Sequence, residues 1–364
     1  MDQLKNVYSP AFIHGLADEI VAIVPDFDAS GFSNAVQSDG WKQMELKQRM
    51  RRISDTLHEY LPGDYQNQVG IISNLSGRLA ARNVSSFPYL CLPDFVEKYG
   101  TGHFKISLDA IEEITQFVSC EFAIRPFLLA DASKVMVRML RWSKHPHSTV
   151  RRFSSEGCRP RLPWGKAIPA FKIDPSPILP ILENLKDDQS EFVRKSVANN
   201  INDIAKDHPG LVLELIRKWK GKSERTDWIL RHGARTLLRK ADPGVYSMFG
   251  LSGVHQCEVS GLKVSTAKVA AGESVELKFA LINKAATPAL FRIEIGVDYV
   301  KSNGSTSRKL FKISERKFEP GTAYAFSRRI SFTDLTTRKH YPGKHQIAVV
   351  VNGRELGSRQ VTLL

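Results

Sequence analysis

The sequence predicts a multidomain chain, an all-α repeat solenoid followed by an all-β sandwich, on three observations. Apolar residues recur at helical spacing through the first two-thirds of the chain. A turn-plus-helix pattern repeats there at a near-constant interval, and past residue 255 the pattern switches to alternation. With 364 residues the chain has room for two or three domains, and its 42% apolar and 25% charged residues exclude wholesale disorder.

In the first part, Leu46–Leu61 carries apolar residues at 46, 50, 53, 57, 60 and 61, which is helical spacing. Ile111–Leu129, Ser133–Trp142, Ile178–Leu185, Glu191–Lys206 and Leu211–Trp219 read the same way, punctuated by Pro62-Gly63, Pro146, Pro175, Pro209-Gly210 and Pro243-Gly244. Three stretches share a polar turn that opens a helix with an apolar residue followed by arginine: Val150-Arg151, Val193-Arg194 and Leu230-Arg231. They lie 43 and 37 residues apart. That interval is near the period of HEAT-type repeats, in which stacked helix pairs present an extended binding face.

The second part alternates, as in Val275–Leu281, Phe291–Val297 and Gln346–Val351. Turns fall at Ala271-Gly272, Asn303-Gly304, Pro320-Gly321, Pro342-Gly343 and Asn352-Gly353. Asn-Gly marks a tight hairpin because both residues tolerate positive φ. About seven short strands predict an immunoglobulin-like sandwich. The expected domains are residues 1–254 and 255–364.

The chain holds 52 Lys+Arg against 38 Asp+Glu, a net charge of +14. Such a surplus favours a polyanion, nucleic acid before an anionic membrane surface. Residues 251–364 carry +9 and residues 1–250 carry +5. From Lys134 to Lys166 nine basic residues surround a single acid, Glu156, as in a phosphate-binding surface around a reactive centre. The lysines and arginines Lys301, Arg308, Lys309, Arg338 and Lys339 fall at loops of the second part.

Several classes are excluded. The four cysteines at 91, 120, 158 and 257 form no C-x-x-C pair and no zinc spacing, so no metal is expected and the thiols read as reduced. The start, Met1-Asp2-Gln3-Leu4-Lys5, is no secretory signal, and no window is apolar enough to span a membrane. Neither G-x-x-x-x-G-K-[ST] nor G-x-G-x-x-G nor H-E-x-x-H occurs, so no cofactor is expected.

Four residues stand out for chemistry, each with a plain structural reading beside it. Asp203 falls on the face of its helix opposite Val193, Val197, Ile201 and Ile204, with Lys195, Asn199, Asn202 and Lys206; the plain reading is an exposed, ion-paired aspartate. Glu121 lies in an apolar run, where Arg125 at i+4 offers a helix ion pair. Glu156 has Arg152 at i−4. Trp164 follows Leu162-Pro163, where an aromatic serves as a core plug.

The segments Val150–Trp164, Leu179–Asp188 and Val193–Pro209 closely resemble AlkC, a bacterial family of DNA alkylation-repair glycosylases built from HEAT-like repeats and related to AlkD. The match is strong over about residues 120–250, and the final part resembles the Ig-like domain of one AlkC branch. The resemblance implies a monofunctional glycosylase, a hydrolase removing cationic N3-alkylated bases, chiefly 3-methyladenine and 3-methylcytosine, from double-stranded DNA. The family works without base flipping, and base excision repair follows at the abasic site. Glu121, Glu156 and Asp203 match its acidic positions, and Phe122, Arg152, Arg159 and Trp164 its substrate contacts. Arg151, Arg161, Lys195 and Asn199 are expected as further DNA contacts. A monomer in the bacterial cytoplasm, at the nucleoid, is expected. The alternatives are a non-catalytic DNA-damage-binding protein on the same scaffold and a HEAT-repeat scaffold for protein partners.

Overall fold

In the computed structural model, residues 3–251, 256–335 and 338–364 are described. The expected domain boundary at 254/255 lies outside them, as do Met1 and Asp2. Sixteen α-helices precede eight β-strands among the described residues. The helices are α1 (Pro10–Val21), α2 (Ala29–Val36), α3 (Leu46–Tyr60), α4 (Tyr65–Ala81), α5 (Cys91–Tyr99), α6 (Phe104–Ile114), α7 (Ile124–Ala130) and α8 (Ala132–Trp142). They continue as α9 (Ser148–Gly157), α10 (Pro169–Ile173), α11 (Leu179–Leu185), α12 (Glu191–Ile204), α13 (Pro209–Trp219), α14 (Glu224–Gly233), α15 (Arg235–Arg239) and α16 (Pro243–Met248). Two compact units result, residues 1–212 with 219–233, and residues 213–218 with 234–364.

Side chains cap the starts of α1, α8 and α3. Ser9 accepts from the Phe12 amide with Pro10 at the first helical position, Asp131 accepts from Lys134, and Glu45 and Gln48 form a capping box. Each saves an orphan amide at a helix start. The expected helix Ile111–Leu129 is broken: α6 ends at Ile114, residues 115–123 turn, and α7 begins at Ile124. Val118, Cys120 and Ala123 keep their apolar side chains buried through that turn, so hydrophobic spacing alone did not reveal the break.

Helices α9, α12 and α14 pack side by side in chain order, the arrangement expected of repeats. The repeat also shows in hydrogen bonding. Arg151 Nη1 donates to the carbonyls of His145 (2.9 Å) and Pro146 (2.7 Å), and Arg194 Nη1 donates to those of Asp188 (2.9 Å) and Gln189 (2.7 Å). Each arginine closes the turn that opens its own helix.

The strands are β1 (Cys257–Val264), β2 (Lys268–Val269), β3 (Ser274–Asn283), β4 (Ala289–Val300), β5 (Thr306–Phe318), β6 (Ala323–Ser331), β7 (Gly343–Val351) and β8 (Arg354–Leu363). One sheet has the order β1-β3-β6 and the other β2-β8-β7-β4-β5, antiparallel except for β2 beside β8. Leu277, Phe279, Phe291, Ile293, Ile295, Val349 and Val361 fill the core between them. Asn352 and Gly353, at φ 45° and 77°, make the tight β7–β8 turn the Asn-Gly pair predicts. Strand β4 departs from alternation, because Arg292 and Glu294 are buried too, paired at 2.6 Å with Glu315 also on Arg292 at 2.7 Å.

Candidate functional site

The site forms within the first unit, where the 115–123 turn meets α9 and α12. Ser119 Oγ donates to Glu121 Oε2 at 2.9 Å and accepts from Arg152 Nη1 at 2.7 Å. Arg152, from α9, also pairs directly with Glu121. Its guanidinium lies 4.8 Å from the centroid of Phe192 on α12, and its Nη2 is 3.7 Å from Glu156 Oε1. Arg159 Nη1 donates to that same Glu156 oxygen at 2.5 Å, and its Nε donates to Asp203 Oδ2 at 2.8 Å. Lys206 Nζ closes the row at 2.8 Å from Asp203 Oδ1.

The three carboxylates and three cations therefore alternate in one neutral row: Glu121, Arg152, Glu156, Arg159, Asp203, Lys206. Burying unpaired carboxylates would be costly, and each here has a charge-assisted partner. Burial deepens along the row: the Glu121 side chain is 18% exposed, Glu156 6% and Asp203 2%. Burial works against the charge of Arg159, but Glu156 and Asp203 outweigh it and hold the guanidinium above its usual pKa.

Three plain readings of single residues are corrected. Asp203 is buried because its carboxylate packs against Arg159 in the segment after α9, while Lys195 and Lys206 on the same side of α12 stay exposed. Arg125 does not pair with Glu121. It is buried and donates to the carbonyls of Lys166 (2.6 Å), Gly157 (2.9 Å) and Arg159 (2.7 Å), tying together the segment that carries Arg159. Trp164 is no core plug: it is 69% exposed and adopts φ 64°, left-handed backbone that a bulky residue rarely takes. Lys47 Nζ holds its carbonyl at 2.9 Å, and at the neighbouring Gly165 a Cβ would sit 2.9 Å from Leu162 Cδ2 and 3.1 Å from Phe122 Cδ1, so those side chains would have to shift.

The other expected contacts divide. Half-buried Phe122 lies beside Glu121 under Lys47, whose Nζ is 5.7 Å from the ring centroid. Arg151 is committed to Asp188 by two bonds of 2.7 and 3.2 Å, besides its two carbonyls. Arg161 pairs with Asp207, and Lys195 with Glu191 at 2.7 Å. Asn199 is half-buried on α12. Sequence reasoning missed Ser119 and Phe192. A serine two residues before a glutamate was the only local signal for Ser119, and Phe192 had none.

Among the described residues no cluster of His, Cys, Asp and Glu could hold a metal, and no helix is long and apolar enough to cross a membrane. Cys91, Cys120 and Cys158 are buried free thiols.

Comparison with known proteins agrees with this architecture. Residues 109–237 match the family model "DNA alkylation repair enzyme", and residues 258–364 match "Uncharacterised protein YhaZ, C-terminal Ig-like domain". The chain is 41% identical to "Uncharacterized protein YhaZ" of Bacillus subtilis (strain 168) over 353 residues, covering 97% of each chain. It is 38% identical to the Pseudomonas fluorescens alkylpurine DNA glycosylase AlkC bound to DNA containing an abasic site analog, with a TM-score of 0.94 over 100% of both chains. With helical repeats, Ig-like sandwich and whole-length relatives in agreement, the chain belongs to the AlkC family of DNA alkylation repair proteins.

Proposed function

We propose that this protein is a DNA glycosylase that hydrolyses the N-glycosidic bond of cationic N3-alkylated bases, 3-methyladenine and 3-methylcytosine, in double-stranded DNA. It acts without base flipping, leaves an abasic site, and works as a monomer at the bacterial nucleoid. The observation that carries the reading is the row of three buried or half-buried carboxylates joined by Arg152 and Arg159. The likeness to the Pseudomonas fluorescens glycosylase supports it.

N3-alkylation makes the base cationic, so it departs with the bonding pair as a neutral molecule and needs no acid. Positive charge then develops on the deoxyribose, and water adds at C1′. Carboxylates stabilise that charge and can take the proton from the water, as in glycoside hydrolysis. Glu121 is the most exposed of the three, so it is assigned to the water. Glu156, held deeper, helps fix the Arg152 guanidinium that pairs with Glu121, and Asp203 anchors Arg159 against Glu156. Trp164 is assigned to lie against the cationic base or sugar, a contact worth about 0.5–2 kcal/mol; its exposure supports this reading.

The test is a single-turnover excision assay on methylated duplex DNA, with heat-labile abasic sites as the readout. Release of 3-methyladenine well above background is expected. Tight binding to the same DNA with no release would establish the damage-binding alternative, and no DNA affinity at low salt would remove both.

A further inference from the structure

Beside Glu121 the first unit contains a cavity of about 910 Å³. One wall is Met50, Arg51 and their neighbours on α3, and another is Phe87 and Leu90 in the 3-10 turn before α5. The Phe122 ring and the Trp164 turn complete it. Its surface is mainly apolar and aromatic. The acidic groups among the lining residues are Asp55, Asp94, Glu97 and Glu121, and the basic ones Lys47, Arg51, Arg52, Arg125 and Lys166.

Two buried polar groups in these walls bear on what could enter. Arg125 is 1% exposed, and its Nη2 has no hydrogen-bond partner among the described residues. A buried guanidinium donor without a partner is costly. Asp94 is also buried, held by Ser54 Oγ at 2.7 Å and Arg51 Nη2 at 2.8 Å. Five cations interspersed with four carboxylates leave the lining close to neutral, without the concentrated positive charge a phosphate chain needs. Aromatic faces with donors and acceptors of both kinds favour a flat, uncharged heterocycle.

We propose that this cavity receives the excised base. The inference rests on the glycosylase reading and deepens it by naming a product site. Before cleavage the alkylated base is cationic and is attracted to Glu121. Once the C1′–N bond breaks, its electron pair stays with the base, which becomes neutral. The pull of the carboxylates then lapses, while the apolar wall beginning at Phe122 and Trp164 still gains by covering a flat ring. A base drawn aside in this way cannot recombine with the sugar and leaves C1′ open to water.

The experiment is equilibrium dialysis of the full-length protein, without DNA, against free 3-methyladenine and separately against deoxyadenosine 5′-monophosphate. The wild type is expected to bind 3-methyladenine with submillimolar affinity and the nucleotide at least tenfold more weakly. Met50→Trp and Leu90→Trp, which fill the cavity from two different walls, should each weaken base binding at least tenfold; circular-dichroism melts identify any variant that fails to fold. No binding by the wild type at millimolar base, equal binding of the nucleotide, or undiminished binding in a folded filled variant overturns the proposal. Because dialysis needs no catalysis, a protein that binds the base yet excises none refutes the glycosylase reading alone. One that excises but does not bind refutes the product site alone.

Discussion

Arg159 donates through Nε to Asp203 across 44 residues of sequence, at 2.8 Å and with both side chains buried. The same guanidinium also holds Glu156. One side chain thus sets the spacing between two of the three carboxylates, and Arg152 does the same between Glu156 and Glu121. The acids are positioned as a set.

Removing the charge of one carboxylate should therefore cost catalysis more than binding. Asp203→Asn and Glu121→Gln are each expected to keep DNA affinity within a fewfold and to lower 3-methyladenine release at least tenfold, a floor below the roughly 10²–10⁴-fold that charge stabilisation and general-base help supply. Single-turnover rates beside a binding titration check this. Wild-type excision by both variants would remove the assignment.

Trp164 pairs exposure with a strained backbone, a combination kept for function more often than for stability. Trp164→Gly relieves the positive φ and should raise the melting temperature slightly, corresponding to about 1 kcal/mol. The same change should slow excision by roughly 2- to 30-fold, the range of a lost cation–π contact. A variant both less stable and fully active would contradict both halves.

Burial pushes the Asp94 carboxyl up to about 6 from its usual 3.8, against the opposing pull of Ser54 and Arg51. An acid whose pKa is raised on folding holds its proton more tightly in the folded state. Below about pH 4 both states are protonated and no penalty exists. Between about pH 4 and 6 the folded form loses stability relative to the unfolded, by up to about 3 kcal/mol, and above that the loss is constant. Denaturation of wild type and Asp94→Asn across pH 4 to 7 should show the wild type losing ground to the variant as pH rises. A pH-independent difference would mean Asp94 is not the group responsible.

Gly353 sits at φ 77° in the β7–β8 turn, where a Cβ would lie 2.4 Å from Ala241 Cβ and 3.0 Å from the Tyr246 ring. Gly353→Ala meets both backbone strain and a clash with Tyr246 of α16 and with Ala241, two residues before that helix. A loss of about 2 kcal/mol or more is expected. Thermal melts of the two proteins measure it, and an unchanged transition would show that the turn yields freely.

The order of the two folds was legible in the sequence, because helical and alternating periodicity are local records of which side faces a core. So were the repeat at residues 150 and 193 and the Asn-Gly hairpin. What the sequence left undetermined lies at contacts between repeats. Helical spacing put Asp203 opposite the core of α12 with Lys195 and Lys206, but only the approach of Arg159 from the segment after α9 buried the aspartate while both lysines stayed exposed. Arg125 looked like a partner for Glu121 on one helix until the turn at 115–123 separated them and sent it to three carbonyls. Partners 31 and 44 residues apart, as in Arg152 with Glu121 and Arg159 with Asp203, leave no periodic trace. A charge's environment is set by what surrounds it in space, and here those surroundings come from two other segments of the chain.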